Sequence, residues 1–413
     1  LLAISSDKRN AKQKETLLNH YLNNIDKTYQ KIVADKRNAE KQVTEASKNK
    51  ITSMIMGDQG KMRQTYILQR GSYEHPKKDR EIKPGVPDFL PPLPKDAPKN
   101  RLGLAQWIMR PDHPLTARVA VNRYWSLLFG KGIVTTVSDF GTQGDLPSHQ
   151  GLLDWMAVDF VQHGWDIKRT IKQMVMSATY RQSSRTTPEL LTKDPDNILM
   201  ACGPRFRLQG EFIRDGALAL SGLLVREVGG PGVKPYQPPG LWNEVSLSGN
   251  VRFVQDKGAK LYRRSMYTYW KRSAPAPSMT IFDAPTREKC VVERPRTNTP
   301  LQALVTLNDP QFVEAARNLA QRMIKEGGKT PKDRVAFGYR LATARTPKPI
   351  VSRILESAFN EELENYRKTP EAASKLIGIG ESKRDESINN AEHAAWTIVA
   401  SMLLNLDEVI TRL

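Results

Sequence analysis

The chain has 413 residues, of which 63 are Lys or Arg and 44 are Asp or Glu, and its formal net charge is +19. This length suggests two or three domains, and 39% hydrophobic residues are enough to build a core. The two cysteines, Cys202 and Cys290, form no CxxC or CxxCH motif, which excludes a zinc ribbon or a covalent haem site in this chain. They form either one disulfide or two buried thiols. No apolar run reaches the roughly 18 residues that a membrane span needs.

The first 56 residues predict a long helix or a helical hairpin. Apolar residues recur there at alternating spacings of four and three, which is a heptad pattern. The seam consists of Leu18, Leu22, Ile25, Tyr29, Ile32, Lys36, Ala39, Val43 and Ala46. We expect an arm packed within the molecule along this one stripe. A coiled coil that binds a partner is the alternative.

Residues 57–99 predict short strands and a proline-rich connector. The stretches 51–56 and 63–68 have strand-like composition and are joined by a glycine-containing turn, so we expect a small β-hairpin. Residues 83–100 then hold six prolines, which disfavour regular structure and favour an extended connector. The domain boundary is expected here.

Residues 100–413 predict a mainly α, multi-helix domain with few short strands. Helical periodicity and capping signals predict helices over 117–129, from 149 onwards, 167–176, 209–225, 299–326, 331–342, 347–366 and 385–410. Residues 227–298 are rich in glycine, proline, aromatic residues and arginine, and predict a long irregular region. Loops of this length inside a domain usually carry function.

The sequence VERPRTNTPLQALVTLNDPQF, residues 292–312, predicts the start of a long helix. Thr299 is suited to cap the helix, with Pro300 at its first position. Leu301, Leu304 and Val305 would then form its apolar face. The free N–H groups of a helix start attract anions, and two arginines precede this one, which suggests an anion site.

The arginine-rich region supplies the candidate binding residues. Between residues 257 and 296 there are ten Lys or Arg and three Asp or Glu, with aromatic residues interleaved. Arginine binds carboxylate, phosphate or sulfate through two donors, and aromatic faces stack on sugars or bases. The candidate substrate or anion ligands are Arg263, Arg264, Tyr267, Trp270, Arg294, Arg296 and Asn298. The alternative is a structural network in which arginines hold loop carbonyls and buried acids.

A second, polar site is suggested by four other residues. His149 and Asp139 share a glycine-rich loop before a helix, where an imidazole and a carboxylate could bind a metal or transfer protons. The ordinary role of such a histidine is to brace the loop. Arg214 and Asp215 belong either to a polar site or to the arginine network. No metal site is predicted, and GxSxG, HExxH, Walker A and GxGxxG motifs are absent.

Seven sequence blocks resemble a known family, the planctomycete cytochrome-c-associated domain of unknown function. This is the C-terminal domain of large secreted proteins of planctomycetes and their relatives. In chain order the blocks are NRLGLAQWIMRPDHPLTARVAVNRYWSLLFGKGIV, SDFGTQGDLPSHQGLLDWMAVDF, SATYRQSS, PRFRLQGEFIRDGALALSGLL, VKPYQPPGLW, YRRSMYTYWKR and RPRTNTPLQALVTLNDPQFVEAA. The resemblance covers roughly residues 100–405, and residues 1–99 look like the tail of the preceding family domain.

The resemblance implies a cellular location and partner domains but no specific reaction. Family members typically begin with a signal peptide and a cytochrome c domain, followed by a helical domain and then this one. It therefore implies a periplasmic, cell-envelope or secreted location, with haem c upstream and no cofactor in this chain. The upstream cytochrome c and helical domains would be its partners. No catalytic residue is carried over, because the family implies no established reaction.

Two functions are compatible with these observations. In the first, the chain is the substrate-binding part of a haem-linked oxidoreductase that acts on a glycan or another anionic organic substrate. In the second, it is a non-catalytic scaffold or binding module of a cell-envelope complex, with the heptad arm as the interaction element. The basic charge also suits an acidic polysaccharide or an acidic protein partner. A nucleic acid ranks below these, because the implied secreted setting argues against it.

Overall fold

The computed structural model describes residues 1–48, 52–58, 63–246 and 252–412. The remaining positions are 49–51, 59–62 and 247–251, which fall within the predicted segments 1–56, 57–99 and 227–298, and residue 413. Two units are distinguished by their internal contacts, one of Leu1–Gly85 with Pro98–Gly103 and one of Val86–Ala97 with Leu104–Leu413. The predicted division into three segments stays a prediction. The mainly α fold is confirmed, since helices dominate and the described strands form two small two-stranded sheets.

The first unit opens with two helices, α1 (Ala11–Asn24) and α2 (Lys27–Lys48). Asn10 begins α1 with a capping box, in which its side chain accepts from the Gln13 amide (2.9 Å) and its own amide donates to the Gln13 side chain (3.0 Å). Neither helix contains a buried residue. The heptad seam that we expected to pack within the chain is therefore exposed, and Val43, for example, is 65% exposed.

A β-hairpin is present in this unit, and one of its strands lies within the predicted strand 63–68 while the other differs from the prediction. Strand β1 (Thr65–Leu68) pairs antiparallel with β2 (Pro76–Ile82), so that Thr65 faces Ile82. The predicted strand at 51–56 is wrong, since residues 52–58 form no strand, while residue 51 and the turn residues 59–62 lie outside the described part. Strand β2 escaped prediction because its sequence, PKKDREI, is charged and almost wholly exposed, and so lacks an alternating apolar pattern. Residues 83–100 contain no helix or strand, as the prolines predicted.

The helices and strands that follow the connector agree in most places with the predicted elements. They are α3 (Arg101–Ile108), α4 (Thr116–Phe129), α5 (Gln150–Gln162), α6 (Ile167–Met176), α7 (Pro188–Lys193), β3 (Phe206–Arg207), α8 (Gly210–Ser221), α9 (Leu241–Glu244), α10 (Pro277–Thr280), α11 (Pro300–Asn308), α12 (Pro310–Glu326), α13 (Pro331–Thr343), α14 (Pro349–Lys368), α15 (Pro370–Ile377), α16 (Asn390–Leu404), α17 (Asp407–Ile410) and β4 (Thr411–Arg412). None of the described helices is long and apolar enough to cross a membrane.

The predicted helix 299–326 is two helices. Thr299 and Pro300 begin α11 as expected, although the Thr299 side chain makes no capping hydrogen bond. The helix stops at Asn308 because Pro310 has no N–H to continue it and disfavours helical backbone at the residue before. Asp309 then caps α12, accepting from the Gln311 amide at 3.0 Å.

The apolar face predicted for α11 is only partly correct. Val305 packs against the larger hydrophobic core, but Leu301 is 58% exposed and Leu304 is 53% exposed. The helix buries Gln302 and Thr306 instead. The Gln302 amide donates to the Ile281 carbonyl (3.1 Å) and to the Thr297 carbonyl (3.2 Å). The buried face of α11 therefore forms hydrogen bonds with loop carbonyls and also packs against the core.

Two hydrophobic cores organise the second unit. The smaller one lies between α4, α5 and α6 and includes Val121, Trp125 and Phe160. The larger one lies among α8, α12, α13, α14 and α16 and is centred on Trp396 and Leu319, which are both fully buried. Strands β3 and β4 bring the end of the chain beside the start of α8, because Phe206 pairs with Arg412. Side chains from helices of the smaller core and of the larger core meet near β3 and β4.

Candidate functional site

The predicted site residue Arg263 is buried, with 4% of its surface exposed. Its guanidinium donates to the carbonyls of Gly229 and Pro231 and lies 3.8 Å from the centre of the Tyr267 ring. The Tyr267 hydroxyl in turn accepts from the Gly229 amide at 2.8 Å. These contacts hold the loop at residues 227–231. Arg264, the next residue, is exposed and makes no side-chain hydrogen bond with a described residue.

Arg214 and Asp215 clamp another part of the irregular region. Arg214 is 2% exposed, and it donates to the Gln311 side chain (2.7 Å) and to the Leu261 carbonyl (2.7 Å). Asp215 accepts from the Ser265 amide at 2.7 Å. Burial lowers the pKa of the Arg214 guanidinium to about 10, so it is still charged at neutral pH. Both side chains are occupied by contacts within the protein.

Asp139 and His149 brace the loop before α5. The Asp139 carboxylate accepts from the Gly141 amide at 2.7 Å. His149 is the residue before the first turn of α5, and its Nδ1 lies 3.0 Å from the Ser148 hydroxyl. Within the described residues, no three His, Cys, Asp or Glu side chains are grouped as a metal site requires.

Trp270 and Asn298 also make contacts inside the irregular region. The Trp270 indole donates to the Thr286 carbonyl at 2.8 Å, and the Arg287 guanidinium lies 4.5 Å from the centre of its ring. The Asn298 side chain accepts from Arg207 at 2.7 Å. Neither residue lies beside Arg294 and Arg296 in the cavity described next.

Arg294 and Arg296 line a cleft of about 1090 Å³ in the second unit. We call it the cationic cleft. Its wall contains seven Arg or Lys side chains and two Glu side chains, a surplus of five positive charges. The charged residues are Arg123, Lys131, Arg287, Lys289, Arg294, Arg296, Arg412, Glu288 and Glu293, and the aromatic residues are Tyr124, Tyr180, Phe206 and Phe212.

Three distant parts of the chain build this cleft. Helix α4 presents Arg123 and Tyr124, the irregular region contributes residues 285–296, and the β3–β4 pair contributes Phe206 and Arg412. Gly130 ends α4 with a φ of +83°, and a Cβ there would lie 2.7 Å from the Phe206 ring. A glycine is therefore required for the helix to end this close to β3.

The two arginines predicted from sequence are held in defined positions. Arg294 forms an ion pair with Glu211 at 2.8 Å. Arg296 donates to the Gly130 carbonyl at 2.9 Å and lies 4.4 Å from the centre of the Phe206 ring. These contacts use some of their donors and fix the guanidinium groups at the wall of the cleft.

Arg123 and Lys289 are two of the five cleft cations that sequence patterns did not single out. Both are exposed, and neither makes a side-chain hydrogen bond or ion pair with a described residue. Arg123 had no distinguishing signal, because an arginine on the polar face of a helix is commonplace. The donors of both residues are therefore available to an anion in the cleft.

The cleft also contains one of the two cysteines. Cys290 is exposed in the cleft wall, whereas Cys202 is buried, and the two thiols are free. The cysteines form no disulfide, and the prediction of two buried thiols is correct for Cys202 and wrong for Cys290. Cys290 provides a natural chemical probe of whether the cleft is occupied.

Comparison with known families shows where this chain belongs. The family model described as a protein of unknown function, PSD1 (DUF1553), matches residues 100–358. The chain is therefore a member of this family, and the matched region contains the whole cationic cleft except Arg412. Neither the curated proteins nor the solved structures gave a match.

Proposed function

We propose that this DUF1553 member is the ligand-binding part of an extracytoplasmic, cytochrome-c-linked protein, and that its cationic cleft binds an anionic organic ligand such as an acidic glycan. The observation that carries the proposal is the surplus of five positive charges in one cavity of about 1090 Å³. A cavity of this size is at the upper end of the range for small-molecule sites, which is about 300–1,000 Å³.

The geometry favours an anion with more than one acidic group. Arg123 and Lys289 have free donors, while Arg294 and Arg296 are anchored at the wall with part of their donors in use. Charge-assisted hydrogen bonds contribute about 1.5–3 kcal/mol each. The exposed ring of Phe212, 59% accessible, offers an apolar face beside these cations. Together they suit a carboxylated or sulfated molecule with a carbon framework.

The redox part of the proposal is supported by the seven-block resemblance. Under it, a haem c outside this chain would accept electrons from the molecule held in the cleft. The extracytoplasmic location and the upstream cytochrome c and helical domains belong to the same proposal. The residues of this chain would bind and orient the substrate rather than carry electrons.

The test uses trigalacturonate and inorganic sulfate as probes, with neutral maltotriose as the uncharged control. Binding is measured by calorimetry and by the rate at which a thiol reagent labels Cys290. We expect trigalacturonate to bind and to slow labelling, and the double variant Arg123→Ala/Lys289→Ala to weaken binding at least tenfold, about 1.4 kcal/mol. Arg353→Ala removes an exposed arginine outside the cleft and should leave binding unchanged.

Two results would contradict the proposal. One is that neither anion binds or protects Cys290. The other is that Arg353→Ala weakens binding as much as the cleft variant, since the effect would then follow from net charge and not from the cleft. Raising the salt concentration should weaken binding to the wild type more than to the double variant, because fewer charges take part in the variant.

A scaffold role is the second candidate, and one observation favours it. The apolar seam of α1 and α2 is exposed, with Leu18 at 55%, Ile32 at 60% and Val43 at 65%. Exposed apolar residues along one stripe are typical of helices that bind another helix. If the seam binds a partner, Ile32→Lys/Val43→Lys should abolish co-purification of envelope proteins and leave anion binding by the cleft intact.

A further inference from the structure

A second cavity adjoins the cationic cleft. It has a volume of about 580 Å³ and shares Arg123, Tyr124, Val137 and Val292 with the cleft. Its other lining residues are Leu90, Trp107, Ile108, His113, Leu115, Thr116, Val119 and Ala120. We call it the apolar pocket. Since these four residues line both cavities, the cationic cleft and the apolar pocket are neighbours that share one wall, with charged residues on one side and apolar residues on the other.

Several polar groups of the apolar pocket are engaged inside the protein, whereas the buried Nε2 of His113 has no hydrogen-bond partner among the described residues. The Trp107 indole donates to the Pro91 carbonyl at 2.5 Å. The Thr116 hydroxyl donates to the Ile108 carbonyl at 2.7 Å, and His113 Nδ1 lies 2.9 Å from the same hydroxyl. The rings of Trp107 and His113 pack edge to face, with their centres 4.6 Å apart. Apart from His113 Nε2 and the side chains of Arg123 and Tyr124, this pocket therefore offers a ligand mainly carbon surface.

This chemistry discriminates among ligands. Each polar group that a ligand buries without a hydrogen-bond partner costs about 1–3 kcal/mol, so the hydroxyl groups of a sugar would be penalised in this pocket. An aryl or alkyl group would instead gain from leaving water. Leu115, Ile108 and Val292 stay partly exposed at the pocket, at 36%, 38% and 45%, and would be covered by such a group.

Arg123 lies where the two cavities meet. It lines both, it is exposed, and it makes no side-chain hydrogen bond or ion pair with a described residue. Its planar guanidinium binds carboxylate or sulfonate through two donors. An acidic group held by Arg123 would place an attached carbon framework at the entrance of the apolar pocket.

We infer that the ligand of this site is an amphiphilic anion, an aryl or alkyl acid whose acidic group binds Arg123 and the cationic cleft while its apolar group fills the apolar pocket. The inference rests on the proposed function and deepens it, because it replaces a general acidic ligand with one of defined chemistry. A bare acidic glycan would use the cationic cleft alone.

The test compares naphthalene-2-sulfonate with inorganic sulfate by calorimetry on the full chain. We expect naphthalene-2-sulfonate to bind at least about tenfold more tightly than sulfate, because its rings are transferred from water into the pocket and sulfate has no apolar group. Val119→Phe fills the pocket and should remove this advantage while sulfate affinity is unchanged. Arg123→Ala should weaken both probes. Leu304→Phe adds the same ring volume to an exposed position on α11 and should change neither.

The outcomes separate the two proposals. If both probes bind with equal affinity, the apolar pocket takes no part and the inference is overturned, while the anion site stands. If neither probe binds, the proposed function itself fails. Leu115→Gln makes the pocket wall polar at a partly exposed position. This variant replaces Val119→Phe in the test if Val119→Phe does not fold. An advantage for naphthalene-2-sulfonate that survives in the folded pocket variants would overturn the inference.

Discussion

Arg214 allows the sharpest prediction of stability. It is 2% exposed, and it donates to the Gln311 side chain at 2.7 Å, the Leu261 carbonyl at 2.7 Å and the Arg263 carbonyl at 2.9 Å. Replacing it by Met preserves most of the side-chain volume but leaves these three acceptors without a donor. Asp215 also loses the positive charge 3.8 Å from its carboxylate.

The magnitude follows from these contacts. A buried acceptor left without its partner costs about 1–3 kcal/mol, and removing one member of a buried charged network costs about 3–5 kcal/mol in all. We therefore expect Arg214→Met to lower the free energy of unfolding by about 3–5 kcal/mol. At roughly 2–4 °C per kcal/mol, the Tm should fall by about 10 °C.

The assay is thermal and urea unfolding followed by circular dichroism, with Arg264→Met as the matched control. Arg264 lies in the same segment that Arg214 holds, but it is exposed and makes no side-chain hydrogen bond with a described residue. Its replacement should change stability by no more than about 0.5 kcal/mol. If Arg214→Met stays within about 1 kcal/mol of the wild type, the clamp does not contribute as argued.

Two further predictions concern the larger core. Gly380 has a φ of +93°, and a Cβ there would lie 2.3 Å from Glu314 Cδ, so Gly380→Ala should cost about 2 kcal/mol or more by urea unfolding. Gly216→Ala, in α8 with no atom within 4 Å of the added Cβ, should be neutral or stabilising, and equal effects would refute the argument. His393 is fully buried, and burial lowers its pKa, so the unfolded chain takes up the proton first and stability is lost as pH falls below about 6.5. His393→Gln should flatten the loss of stability below about pH 6.5, and an unchanged slope would contradict the argument.

Local signals in the sequence determined much of the helical framework. Helix α6 begins at Ile167 and ends at Met176, as its periodicity predicted. Gly130 ends α4, and Thr299 with Pro300 begins α11, because backbone conformation at such positions depends on the residue itself and its immediate neighbours. Differences from the predicted helices, such as the break before Pro310, also have a local cause. The Asn-Asp-Pro sequence is itself a signal for this break.

The composition of the site was decided by tertiary structure. Arginines clustered in sequence have different roles in the structure: Arg263 is buried under loop carbonyls, while Arg294 and Arg296 line the cleft. The number of charges in the region could not distinguish buried arginines from those in the cleft, because it does not depend on which side chains the fold buries. The sequence predicted a basic site with aromatic residues, and the cleft has this character. Of the predicted residues, only Arg294 and Arg296 line it.

Arg123 shows the same limit most clearly. In sequence it is an ordinary charged residue of a helix, more than 160 positions from residues 285–296, and nothing local marks it. The packing of α4 against the strand pair at the end of the chain brings these parts together around one cavity. The sequence by itself determined the helices, their ends and the excess of positive charge. Only the tertiary structure decided which cations share a cavity and which of them keep free donors, because both depend on contacts between residues far apart in the chain.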